Sequence, residues 1–194
     1  MAAGFKYNLD PIKVENELCN QKTIYRMIGG FNLVDPSIPN GIYVPHTAPI
    51  AVDFKTRKAI VCKNVRVTEE VAADGLKVKV SKGHLVIVGM TLGTGKKGAL
   101  ISAIDKSNSA YDEITVAAAF GEVVKMGAIL FEAGAAGGTT QKNTATHLNY
   151  ARVKVEEGAT ITAMGQVYEI KDAILPCPVS KGDKESLGAR FMFI

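Results

Sequence analysis

At 194 residues, with 47% hydrophobic and 22% charged residues, the chain is long enough to bury a proper core and has no composition typical of a disordered tail. Its 23 Lys and Arg against 19 Asp and Glu leave a net charge of +4. The basic residues are scattered in ones and twos (Lys55, Arg57, Lys58; Lys77, Lys79; Lys96, Lys97), which is not the aromatic-studded basic stripe of a nucleic-acid reader. Cys19, Cys62 and Cys177 are odd in number and far apart, which argues against a disulfide framework or a paired-cysteine zinc site and fits a reducing cytosol. The first ten residues lack the apolar core of a signal peptide, and no apolar run approaches the ~20 residues of a membrane span. A soluble protein that is not exported by that route and has no membrane partner is the expectation.

Residues 1–49 mix polar and apolar side chains without a sustained period, and turn signals recur at Asp10-Pro11, Gly29-Gly30, Asp35-Pro36, Pro39-Asn40-Gly41, Pro45 and Pro49. This stretch reads as an extended N-terminal arm or small lobe. Residues 13–19 within it suit either two helical turns or a short strand. Phe5, Tyr7, Ile12, Ile24, Tyr25, Ile28 and Phe31 give the arm enough apolar surface to bind its own domain, a sister subunit or another protein.

From Ile50 the pattern sharpens into a β domain, residues 50–194. Residues 50–54 and 59–68 read as two strands joined by a charged hairpin, Lys55 to Lys58. Leu76, Val78 and Val80 alternate with Lys77 and Lys79, so the apolar three should face a core.

One phrase then recurs four times, a charged turn, a glycine and a mostly apolar run, in residues 80–88, 95–104, 124–133 and 155–164. Gly83, Gly98, Gly127 and Gly158 are expected in tight turns that enter strands, because glycine tolerates positive φ. Residues 113–120 mix β-branched residues with alanine and suit a strand or a short helix. Residues 134–144 form a small-residue loop long enough to be exposed and mobile or to engage a neighbour. Leu148 to Val155 alternates, residues 166–170 add a strand, Pro176 and Pro178 break the ladder, and residues 180–186 are polar. An apolar strand, residues 187–194, follows, with its side chains expected to be covered. The expected fold is mainly β, a small antiparallel β-barrel or sandwich built from glycine-turn repeats.

No constellation points to chemistry. Gly89 to Lys97 has five residues between Gly89 and Gly95 where a phosphate-binding loop needs four, Lys97 where that loop needs Ser or Thr, and a strand pattern after it. His46, His84 and His147 have no metal-ligand spacing. No GxSxG elbow occurs, and Glu69-Glu70 and Glu156-Glu157 are adjacent pairs that solvate turns. No catalytic, cofactor-binding or metal-binding residue is nominated, and no enzyme is expected.

The sequences Ala-Phe-Gly-Glu-Val-Val-Lys-Met-Gly-Ala-Ile-Leu-Phe-Glu (119–132), Leu-Asn-Tyr-Ala-Arg-Val-Lys-Val-Glu-Glu-Gly-Ala-Thr-Ile-Thr-Ala (148–163) and Leu-Gly-Ala-Arg-Phe-Met-Phe-Ile (187–194) resemble those of the head fibre or head decoration proteins of tailed bacteriophages. The likeness is best from about Val80 onward. It implies a structural virion protein on the outer capsid surface, made in the bacterial host cytoplasm, often trimeric, with the major capsid protein and its own copies as partners and other virion proteins possible. There is no heptad or Gly-X-Y tract, so a compact knob or fibre base is expected in place of a long shaft. The rival readings are a carbohydrate- or host-binding β module of a tail or spike, with residues 134–144 as its reading surface, and a small β-barrel enzyme.

Overall fold

The computed structural model describes residues 17–194. In chain order the strands are β1 (Tyr25–Arg26), β2 (Phe31–Leu33), β3 (Tyr43–Val44), β4 (Pro49–Asp53), β5 (Lys58–Val61), β6 (Asn64–Arg66), β7 (Lys77–Val80) and β8 (Thr91–Gly93). They continue with β9 (Gly98–Asp105), β10 (Asp112–Val116), β11 (Ile129–Glu132), β12 (His147–Asn149), β13 (Val153–Lys154), β14 (Thr160–Ile161), β15 (Ala163–Ile170) and β16 (Phe191–Phe193). A short α-helix, α1 (Lys181–Leu187), precedes the last strand. The fold is mainly β.

The strands form an eight-stranded sheet in the order β1-β15-β12-β4-β5-β2-β14, with β16 added on β15, a six-stranded sheet β6-β11-β8-β9-β10-β7, and a ribbon of β3 and β13. Among the described residues both sheets are open in strand order, with an isolated bridge from Val67 to Val80 linking the β6 and β7 ends of the six-stranded sheet. Pairing is antiparallel except that β2 runs parallel to β5 and β16 parallel to β15.

The β4–β5 hairpin follows the sequence pattern, with Ile50 opposite Val61 and Asp53 opposite Lys58. The run expected to continue to residue 68 is divided instead. After Val61 the chain crosses at Cys62 and Lys63, and β6 pairs with β11 in the other sheet.

Along β4 and β15, neighbouring side chains point to opposite faces. Ile50 and Ala163 enter one apolar cluster while Ala51 and Met164 join another, so both faces of the larger sheet are covered. Phe31, Ile38 and Val44 lie in the same cluster as Ile50, Ala59 and Val61. The six-stranded sheet encloses its own cluster, which includes Val78, Leu92, Ile101, Ile114 and Leu130.

Three of the four repeat glycines, Gly83, Gly127 and Gly158, have positive φ and sit in turns. The fourth, Gly98, begins β9 without positive φ and is needed for a different reason. A Cβ there would lie 2.6 Å from the backbone nitrogen of Gly138, so the two glycines allow two stretches of backbone to touch. The run after Gly83 is not a strand. It passes between the sheets, with Leu85 in the larger sheet's cluster and Val86 in the smaller sheet's cluster, so its apolar character reflects burial without a ladder partner.

Three further features depart from, or go beyond, the sequence pattern. Leu76 is 47% exposed, because the ladder of β7 begins only at Lys77. Residues 181–187, in a stretch that the sequence marks only as polar, are helical, held by a capping box in which the Ser180 hydroxyl and the Asp183 carboxylate each accept from the other's backbone N–H. The apolar C-terminal run reduces to a three-residue strand, in which Phe191 is buried while Met192 and Ile194 remain exposed.

Candidate interaction site

The most distinctive surface is built where two turns meet, the β4–β5 turn and the β1–β2 turn. In the first, the Asp53 carboxylate accepts hydrogen bonds from the backbone N–H of Lys55 at 2.8 Å and Thr56 at 3.3 Å and from the Thr56 hydroxyl at 2.7 Å. This is the local bonding by which Asp bends a chain. The Thr56 hydroxyl bond, followed by the two backbone bonds, holds the Asp53 pKa below its ordinary value.

The next residue, Arg57, adopts φ 55°, a left-handed conformation uncommon for a residue with a Cβ. That geometry sends its guanidinium across to the second turn. One nitrogen donates to the carbonyl of Gly30 at 2.9 Å and to that of Ile28 at 3.4 Å. The same guanidinium lies 4.2 Å from the Phe31 ring centroid, a cation–π stack. Phe54 meets Phe31 edge to face with centroids 5.4 Å apart and meets His147 at the same separation.

The result is a rigidly braced pair of turns with bare apolar tips. Ile28 is 92% exposed and Phe54 49%. Lys55 and Lys58 are exposed beside them. Of the apolar arm residues expected to bind, Tyr25 and Ile28 are exposed, Ile24 is half-buried, and Phe31 is fully buried beneath Arg57 and so unavailable. Phe5, Tyr7 and Ile12 lie outside the described residues. In the sequence Phe54 reads only as the end of a strand and Arg57 only as a hairpin residue.

The glycine-rich loop, residues 134–144, is tied down. Gly95 donates its backbone N–H to Gly138 at 3.2 Å, Gly134 donates to Thr140 at 3.1 Å, and the Gln141 amide donates to the Ser180 hydroxyl at 2.8 Å. The stretch with the look of a phosphate loop is a hairpin, in which the Thr94 hydroxyl accepts from the backbone N–H of Lys96 and Lys97 and strand β9 follows.

The histidines sit in three separate settings. The Nδ1 of His46 contacts the Tyr150 carbonyl at 2.5 Å, and its Nε2 lies 3.7 Å from the buried Cys19 Sγ. His84 places Nε2 3.1 Å from an Asp112 oxygen, and Lys82 meets the same carboxylate. Desolvation lowers the His84 pKa in spite of that carboxylate. His147, beside Phe54, is pushed down to about 4 by burial and by Arg190. Among the described residues no group of three or more His, Cys, Asp or Glu is placed to hold a metal. All three cysteines are free and buried.

A polar seam joins the two sheets. The Lys63 ammonium bonds Asp35 at 2.7 Å and Glu132 at 3.3 Å, and Lys142 reaches Glu132 at 2.7 Å. The Asn64 amide donates to the Pro178 carbonyl and to Asp183, which also accepts the backbone N–H of Ala145. Apart from the Asn64 side-chain oxygen, which is buried without a hydrogen-bond partner among the described residues, these groups pair with one another and serve architecture.

Against known proteins, a family model described as head fiber protein matches residues 5–184. No curated protein and no solved structure matches the chain.

Proposed function

The chain belongs to the head fiber protein family of bacteriophages and is a structural component of the phage virion; from that premise we propose that it sits on the outer surface of the capsid, bound to the major capsid protein through its N-terminal segment, residues 1–49, and through contacts with its own copies as a trimer. The observation that carries this reading is the reach of the family match, which begins at residue 5 and so takes in the N-terminal segment together with the β domain. The exposed Tyr25 and Ile28 on that segment support it, since they leave apolar surface available to a partner. A β scaffold with both faces of its main sheet covered suits a part that must keep its shape on a particle. The role requires no catalysis.

The test is reconstitution. Purified protein is mixed with phage heads assembled without it, and bound protein is measured by co-sedimentation and located by electron cryomicroscopy. Saturable binding with new density outside the shell is the expected result; protein that stays in the supernatant at all concentrations rejects the capsid-bound reading. Mass measurement of the free protein tests the trimer.

A further inference from the structure

The geometry points to the braced turns carrying Ile28 and Phe54 as a docking knob for a protein surface that offers an apolar pocket rimmed by carboxylates. This inference rests on the capsid-bound reading and names the part of the chain that makes the contact. Three observations lead to it.

The first is exposure combined with restraint. Ile28 is 92% exposed, yet its turn is not left loose, because Arg57 bonds the carbonyls on both sides of Gly29. A side chain presented bare on a fixed backbone loses little freedom when it is captured, which favours binding.

The second is strain. Arg57 holds a left-handed φ of 55°, and a Cβ on the neighbouring Gly29 would stand 2.6 Å from its guanidinium, so two local choices serve a single clamp. Strained residues of this kind cluster at functional sites.

The third is charge. The two turns, residues 27–30 and 53–58, carry Lys55, Arg57 and Lys58 against one acid, Asp53, whose carboxylate already accepts three hydrogen bonds from its own turn. The free charge around the apolar tips is therefore positive, and the complementary surface is acidic. The apolar area is two side chains on rigid turns, which fits a pocket in a protein better than a lipid surface, where a long amphipathic face is the usual device.

The full-length protein is titrated onto heads assembled without it, at low and at moderate salt. Ile28→Asp and Phe54→Ser are expected to weaken binding about tenfold or more, as loss of a central anchor does. Lys55→Glu with Lys58→Glu should weaken it further at low salt and flatten its salt dependence. Val88→Asp, at an exposed site on the other sheet's connection, should bind as wild type. Circular dichroism and melting confirm that each variant is folded, and the two lysines, being exposed, can be changed without disturbing a core.

Wild-type protein that binds heads while all the knob variants bind equally well overturns this inference and leaves the capsid-bound reading standing. Wild-type protein that does not bind heads overturns both. Knob variants that alter the mass of the free protein, leaving head binding intact, assign the knob to a second copy and overturn the inference. Knob-dependent binding to anionic phosphatidylserine vesicles, with head binding intact in the variants, assigns it to a membrane and overturns it as well.

Discussion

Lys63 and Asp35 meet at 2.7 Å with both side chains almost wholly out of solvent, and Glu132 approaches the same ammonium from the other sheet at 3.3 Å. One cation thus joins a residue ahead of β3, the crossing between β5 and β6, and the end of β11. Lys63→Met removes the cation and leaves two buried carboxylates facing each other, with only Lys142 beside Glu132. The expected loss is about 3–5 kcal/mol by urea denaturation, and adding Asp35→Leu should return part of it, because removing both members of a buried pair costs less than removing one.

Acid should destabilise the protein before its carboxylates titrate. His147 is pushed down to about 4 and His84 is also lowered, in both cases first by desolvation. A histidine whose folded pKa lies below its unfolded value near 6.5 favours folding fully above 6.5, and that contribution is lost as pH falls from about 6.5 toward about 4. Melting temperature should decline across that window, and a His147→Gln variant should show a shallower decline. A flat profile between those values would show that neither ring is held neutral by burial.

The repeat glycines should separate into two classes. Gly127→Ala and Gly158→Ala place a Cβ at positive φ in open space and should each cost roughly 1 kcal/mol. Gly98→Ala drives a Cβ into the backbone of Gly138 and Ala136, where nothing flexible can yield, and should cost more than either. Denaturant midpoints of the three variants check the order.

Truncation should distinguish two parts of the N-terminal segment. Removing residues 1–16 leaves β1 and β2 in place. Removing residues 1–49 takes β2 from between β5 and β14 and deletes the fully buried Phe31, so a cooperative melt is expected from the first truncation and not from the second. A cooperative melt of residues 50–194 alone would show that the β domain tolerates the loss of that strand.

What could be read from the sequence was what is local. The β4–β5 hairpin followed from alternation around Lys55 to Lys58, and three repeat turns followed from glycine. The crossing at Cys62 and Lys63 carried no local signal, because a β-branched run reads the same whether it stays in one sheet or changes to another. Helix α1 has a sequence signal, Ser180 followed three residues later by Asp183, but it is masked because the helix buries only Asp183 and Leu187. The interaction site was legible in part. Ile28 and Tyr25 stood out as apolar residues in an aperiodic stretch. Arg57 did not, since its importance lies in a backbone angle and in contacts with residues nearly thirty positions away.

The segment at Leu85 and Val86 has a mechanical consequence. Neighbouring side chains on one short piece of backbone are seated in different apolar clusters, so a pull that tries to slide one sheet past the other is resisted by covalent bonds as well as by packing. On the proposed capsid-bound reading, a particle that swells, collides or is dragged through fluid loads the protein on its surface, and a joint of this kind spreads the load over both clusters at once. Under force the two sheets should part in one event, with no long-lived half-extended state between them.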